Sequence, residues 1–231
     1  MASSSAAPRV ILSQGALERN ARELLSDGGI VDLRHDAYGH GLERVARVVT
    51  EAGAESVLVD DPQALALLSA VGIRASLEDA PCVDPHRLLG VPEPGASEQT
   101  DPVMRLDGRV MSTKPLRAGE AVSYGYTHRA AQDTRVALVT GGYAQGILRA
   151  LGNRARVQIG DSTHPIVGRI AMDVCVVDLD GADVRDDTSV TFFGGTGPMR
   201  DALAHWSAAT GLSAMEMAVV IGRHANREWS A

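Results

Sequence analysis

The hydrophobic pattern of this chain changes period near residue 103, and that change limits what it can fold into. Before it, apolar residues recur three and four apart in the segments 16–26, 42–53 and 61–71. That spacing predicts amphipathic helices. Asp61 before Pro62 reads as a helix N-cap, and Gly53 stands where a C-terminal cap belongs. Short apolar runs at 29–33 and 56–59 read as buried strands, and residues 36–41 as a turn. Helix and strand therefore alternate, as in βα units around a parallel sheet. After residue 103 the pattern is that of strands, at 104–112, 134–140, 154–159, 165–170, 174–178 and 189–193. Gly, Asp and Asn turns separate them at intervals typical of a small barrel or sandwich. Helical stretches at 198–210 and 213–221 follow. Between the halves, residues 79–102 hold five of the ten prolines. They read as a linker with one short helical turn near 85–89.

Composition narrows the function classes. Hydrophobic residues make up 45% and charged residues 22%, the balance of a soluble globular protein rather than a disordered or fibrous one. No apolar run approaches the roughly 20 residues of a membrane span, and MASSSAAPRV has no signal-peptide core. A cytoplasmic protein with no membrane partner is expected. The net charge of −7 argues against a nonspecific nucleic-acid binder. Cys82 and Cys175 are far apart and read as two reduced thiols. His86, His164 and His205 show no metal-ligand spacing. One ratio is unusual: a single lysine, Lys114, accompanies 21 arginines. Such a bias fits a high-GC bacterial genome. Any chemistry that needs a lysine amine has only Lys114 to use, although its simplest reading is a solvated surface residue. Aromatics are scarce at 3%, and the only tyrosines are Tyr38, Tyr124, Tyr126 and Tyr143.

All four tyrosines fall in motifs with a common likeness. The stretch VDLRHDAYGHG (residues 31–41) resembles the alanine racemase signature, in which a strand ending in a lysine runs into an A-x-A-Y-G-H-G turn. AGEAVSYGYT (118–127), GYAQG (142–146), VGRIAMD (167–173) and the phenylalanines before Gly194 and Gly195 resemble that family's C-terminal domain, in the family's order. The resemblance covers roughly residues 8–78 and 103–231. It implies a two-domain, pyridoxal-phosphate-dependent racemase with a (β/α)8 barrel and a C-terminal β domain. It also implies an active site between the barrel of one subunit and the β domain of another.

Three departures shape the expectation. A closed (β/α)8 barrel needs roughly 250 residues, whereas only 102 precede the β part. The expected fold is therefore α+β: a truncated (β/α) barrel remnant at 8–78, the proline-rich linker at 79–102, and an alanine-racemase-like β-barrel domain at 103–231. Second, the family's imine-forming lysine, four residues before the motif tyrosine, is here Arg34. A guanidinium stays protonated and forms no such imine, so no cofactor is expected. Third, the family's phosphate-contacting tyrosine near the C-terminus aligns with Arg223.

The resemblance gives the remaining residues their roles. Tyr124 matches the family's second catalytic base. A phenol needs a neighbouring cation to act as a base near neutrality, and Arg34 is the candidate. His35 adds a group able to move protons near pH 7, and Asp36 adjoins it. Tyr38 matches a phosphate-side residue, and Met172 and Asp173 match a pair lining the substrate pocket. Tyr126 and Arg223 complete the candidate substrate contacts. The competing structural reading leaves Tyr38 and His40 bracing the turn, Tyr124 as packing and Met172 as core. Three functions stay open. The first is a repurposed, pyridoxal-phosphate-independent enzyme doing acid–base chemistry of isomerase, epimerase, cyclase or lyase type on a small molecule, in bacterial specialised metabolism. The second is a non-catalytic relative that binds a ligand or dimerises. The third is a pyridoxal-phosphate-dependent alanine racemase. A cut barrel exposes sheet edges and apolar faces, which favours a homodimer with a shared site.

Overall fold

The computed structural model describes residues 7–93 and 100–231. Positions 94–99 of the expected linker, Pro94 included, and the first six residues lie outside the described residues. Strand β1 (Arg9–Ser13) runs straight into helix α1 (Gln14–Leu24), capped by the Ser13 side chain accepting from the Ala16 amide. Strands β2 (Ile30–Asp32), β3 (Ser56–Leu58) and β4 (Ala75–Ser76) make a parallel sheet in that order. Three helices connect them: the short α2 (Arg34–Tyr38), α3 (Leu42–Glu51) and α4 (Pro62–Ala70). The α3 positions Leu42, Val45, Ala46, Val48 and Val49 are all buried, as their spacing predicts. Asp61 caps α4 by accepting from the Gln63 and Ala64 amides.

Residues 79–93 pack onto this sheet instead of spacing it from the β-rich half. Val83 makes a parallel bridge to Val31 on the free side of β2. Helix α5 (Pro85–Leu89) then buries Leu88 and Leu89. The buried Asn20 amide ties α1 to this segment, donating to the Leu88 and Asp101 carbonyls. Its apolar residues are too irregularly spaced among prolines to show a period.

The second half is a closed six-stranded antiparallel barrel. Its strands are β5 (Met104–Leu116), β8 (Thr134–Thr140), β9 (Arg156–Ile159), β10 (Ser162–Val167), β11 (Val174–Asp178) and β12 (Ser189–Phe193), ringed in the order β5-β8-β11-β10-β9-β12 and back to β5. The short hairpin β6 (Ala121–Val122) and β7 (His128–Arg129) stands on one wall. Strand β5 closes the ring because it is 13 residues long: one stretch pairs with β12, the next with β8. Gly108 lies in the first of these, where a Cβ would meet the Thr140 carbonyl oxygen at 2.3 Å.

Helices α6 (Ala202–Thr210) and α7 (Ala214–His224) come next, α7 starting in a Ser213/Glu216 capping box. The final strand, β13 (Asn226–Ser230), lies parallel to β1, which itself pairs with β5. The first and last strands are thus stitched side by side onto the barrel. One contiguous core runs through both halves, and Phe193 packs edge-on against Trp206 at 5.5 Å within it.

Candidate functional site

Chemistry-bearing residues gather first at the C-terminal end of β2. The backbone of His35, Asp36, Ala37 and Tyr38 turns left-handed, with φ between 51° and 59°. L-residues resist that conformation by about 1–2 kcal/mol each, so the turn must be held from outside. Asp32 holds it first. Its carboxylate is buried and accepts from the Arg34 amide (3.1 Å), from Arg34 Nε (3.0 Å) and Nη2 (2.6 Å), and from the Tyr38 hydroxyl (2.7 Å). Burial raises the Asp32 pKa, but these four bonds and the Arg34 charge outweigh it and hold the group below its ordinary 3.8. Burial and the same carboxylate push the Tyr38 phenol up to about 12. Asp60, beyond β3, accepts from the His35 amide at 2.9 Å and sits 3.0 Å from His35 Nδ1. Asp36 accepts from the Leu42 amide at 2.7 Å and pairs with Arg227 of β13. His40 is fully buried under the turn, its Nδ1 3.1 Å from the Ala37 and Tyr38 carbonyls.

A second group lines a cavity of about 750 Å³ on the wall of the β barrel. Tyr124 and Tyr126 stand at it on a tight 3-10 turn, both 70% exposed. Ser123 enters that turn at φ +66° and donates its hydroxyl to the Arg169 carbonyl at 2.6 Å. Lys114, near the end of β5, and Arg169 also line the cavity, over an apolar wall that includes Val136, Leu138 and Val176. Cys175 lies at the back, fully buried, and burial alone pushes its thiol up to about 12. It is no nucleophile at neutral pH.

The family model described as "Alanine racemase, C-terminal domain" matches residues 103–229. This chain belongs to the alanine racemase family. The alanine racemase of Mycolicibacterium vanbaalenii is 47% identical over 95 residues, which are 40% of this chain and 24% of that protein. The alanine racemase of Chlorobaculum tepidum is 38% identical over 127 residues, 54% of this chain and 32% of that one. The matches thus span about a quarter to a third of these relatives' length. Among solved structures, the alanine racemase from D-cycloserine-producing Streptomyces lavendulae superposes with a TM-score of 0.85 at 19% identity, covering 99% of this chain and 98% of that one. The alanine racemase from E. faecalis gives 0.83 at 15% identity, with 99% of each covered. These two likenesses establish the fold: a racemase-type β barrel preceded by a short barrel remnant.

Against the family's cofactor the residues do not fit. Pyridoxal phosphate is carried on a primary amine, and the residue in register is Arg34, its guanidinium spent on Asp32. The one lysine, Lys114, belongs to the β-domain cavity. Within one copy of the chain, Arg34 does not line the cavity that holds Tyr124. Lys114 and Arg169 line that cavity, and Arg34, His35, Asp36, Tyr38 and Arg223 are not among the described residues that do. In a single copy the expected catalytic set is divided between two places. Asp36 spends one carboxylate oxygen on the first turn of α3 and the other on Arg227. Tyr38 is half-buried on Asp32, and His40 braces the turn. Met172 is 55% exposed, so it is not core. Its neighbour Ala171 lines the cavity, and Asp173 accepts from Gln145 Nε2 at 3.0 Å. Arg223 is exposed in the last turn of α7.

The sequence reading missed Asp32, Asp60 and Arg169. Asp32 carried a signal, because an acid inside a buried strand demands a partner. Arg169 sat within a recognised motif but was not singled out. No group of three or more His, Cys, Asp or Glu among the described residues is placed to hold a metal ion. No described helix is long and apolar enough to cross a membrane.

Proposed function

We propose that this member of the alanine racemase family works without pyridoxal phosphate, as an acid–base enzyme of isomerase, epimerase, cyclase or lyase type acting on a small molecule bound beside Tyr124. The observation that carries the reading is the Asp32–Arg34 pair. The position that needs a free amine is filled by a permanently charged group, held by three side-chain bonds to a buried carboxylate. What remains for proton transfer is the Tyr124 phenol, in a cavity that also holds the Lys114 and Arg169 cations. A phenolate forming during turnover is stabilised by adjacent positive charge. The second half of the expected set, Arg34 and His35, joins Tyr124 only if another copy of the chain brings its β2 turn over this cavity. That division supports a homodimer, and a monomer by light scattering at micromolar concentration would remove the shared-site part of the proposal.

The deciding test adds pyridoxal phosphate to purified protein, followed by borohydride and peptide mapping. No visible imine band and no pyridoxyl-lysine peptide are expected. A trapped imine at Lys114 would overturn the proposal. Metabolite extracts of the native pathway, with and without the protein, then show turnover, and Tyr124→Phe should lose at least about a hundredfold of it. Full turnover by that folded variant would remove Tyr124 from the chemistry.

A further inference from the structure

We infer that Ser123 is a positioning residue: it holds the Tyr124–Tyr126 turn in a conformation that the chain resists, and so fixes where the Tyr124 phenol stands at the cavity. Ser123 acts through Tyr124, so this reading rests on the proposed function and deepens it, but its grounds are backbone geometry.

Tyr124 and Tyr126 are both largely exposed, so burial does not orient them. The backbone of the turn sets their direction instead. Ser123 enters it at φ +66° and ψ +169°, a region that is essentially glycine's own. Gly125 follows at φ +77° and Tyr126 at φ +49°. A glycine at position 123 would take up this conformation without strain. A serine stays there only where its surroundings over-determine it, and strained backbone of this kind gathers at functional sites.

The turn is fastened at both ends. At its entrance the Ser123 hydroxyl donates to the Arg169 carbonyl at 2.6 Å. Gly168 makes that approach possible: it has φ +74°, and a Cβ on it would lie 2.4 Å from the Ser123 Cβ. Inside the turn the Tyr126 amide donates to the Ser123 carbonyl at 3.2 Å. The Arg169 side chain lies against the same turn, its guanidinium carbon 3.4 Å from where a Cβ on Gly125 would stand. At the exit, Asn153 donates its Nδ2 to the Thr127 hydroxyl oxygen at 3.4 Å, and its Oδ1 accepts from the Gly168 amide at 2.6 Å. Asn153 thus ties the end of the turn to the residue packed on its start. Of these fastenings, only the Ser123 hydroxyl bond starts from the side chain of the strained residue itself. Proton transfer by an exposed phenol needs its oxygen held within reach of the reacting atom, and a misplacement of about 1 Å costs on the order of a hundredfold. Stability given up at Ser123 therefore has a return in the place of Tyr124.

The test uses the scarcity of tyrosine. Selective 15N-tyrosine labelling of the full chain gives four backbone amide signals, one per tyrosine, assigned by single substitutions to Phe. Relaxation measurements then give each an order parameter, and in the parent Tyr124 and Tyr126 should lie near the rigid value of about 0.85. Ser123→Gly removes both the strain and the hydroxyl. It should melt within about 2 °C of the parent, because relief of strain offsets the lost bond. Its Tyr124 order parameter should nevertheless fall below about 0.6, while Tyr38 and Tyr143 keep their values. Turnover in the assay that Tyr124→Phe abolishes should drop at least about tenfold in this variant. Ser123→Ala keeps the strain without the bond, so it should loosen the turn as well and melt about 3 °C below the parent. A merely structural serine would move stability and order together, and the glycine variant separates them. A Tyr124 amide as rigid in Ser123→Gly as in the parent, a glycine variant that melts as low as the alanine one, or full turnover by Ser123→Gly where Tyr124→Phe has none would each overturn the inference. Full turnover by Tyr124→Phe would instead remove the proposed function, while a loosened turn in Ser123→Gly would still support Ser123 as the residue that holds it.

Discussion

Replacing Arg34 with methionine isolates what the Asp32 carboxylate requires. The Asp32 side chain is 5% exposed and that of Arg34 is 45% exposed. In the parent, Asp32 is held below its ordinary pKa because the Arg34 and Tyr38 bonds outweigh burial. A depressed carboxylate adds stability that is complete above the unfolded pKa of 3.8 and is lost as pH falls through the lower folded value. In Arg34→Met, burial remains and its main counterweight is gone, so the Asp32 pKa moves upward. Breaking a buried pair from one side costs about 3–5 kcal/mol, and the partial exposure of Arg34 brings the expectation here to about 2–3 kcal/mol at pH 7. For a chain of this size that lowers Tm by roughly 5 °C. The deficit should shrink as pH falls through the variant's Asp32 pKa, because the protonated acid no longer needs a cation. His35 and Asp60 face the same turn, so the scan is repeated in a His35→Gln background to remove their contribution. The double variant Asp32→Val/Arg34→Met should recover most of the loss, since an apolar pair replaces an ionic one. Calorimetric melts of the single and double variants from pH 4 to 8 measure this. A single variant as stable as the parent, or a deficit that does not change with pH, would refute the account of Asp32 as a buried acid dependent on Arg34.

Two further outcomes are expected in the same region. Burial lowers the His40 pKa from 6.5 to about 4, so the ring is neutral in the fold at pH 7. Its contribution is complete above pH 6.5 and falls away between 6.5 and about 4, amounting to roughly 3 kcal/mol; His40→Gln should flatten stability across that window, and an unchanged pH slope would contradict the buried neutral ring. Gly39 has φ +82° and its Cβ would sit 2.9 Å from the Ala218 carbonyl oxygen of α7, so Gly39→Ala should destabilise by about 2–4 kcal/mol in denaturant melts, whereas a neutral result would mean that α2 and α7 separate easily.

Much of the β barrel was legible because half-buried strands advertise their period. The expected strands at 134–140, 174–178 and 189–193 coincide with β8, β11 and β12. The ends of the chain were not legible. Strand β13, NREWS, shows no apolar alternation, because it lies at the sheet edge and buries little. Strand β1 gains its partners from β5 and β13, far away in sequence. Strand β5 was expected to stop at 112 but continues to Leu116 through a register shift between Val110 and Ser112. That extension carries Lys114 to the cavity, and a strand ending at 112 would have left it on a loop.

The sequence names the candidate residues but not their pairings. Arg34 in place of a lysine is visible in the sequence, and alone it suggests a cation free to assist Tyr124. Asp32 removes that freedom. A carboxylate inside a buried strand is unfavourable without a cation, and an arginine on a left-handed turn is poorly anchored without a carboxylate. Two residues apart, each supplies what the other lacks, so the pair is self-consistent and the β2 turn is set without an amine. The cations that line the tyrosine's cavity in one copy are Lys114 and Arg169 of the β domain. In one copy the acids of the β2 turn are engaged in holding that turn, while Lys114 and Arg169 share the β-barrel wall with the exposed phenols; under the proposed function, only a second copy reunites the two groups.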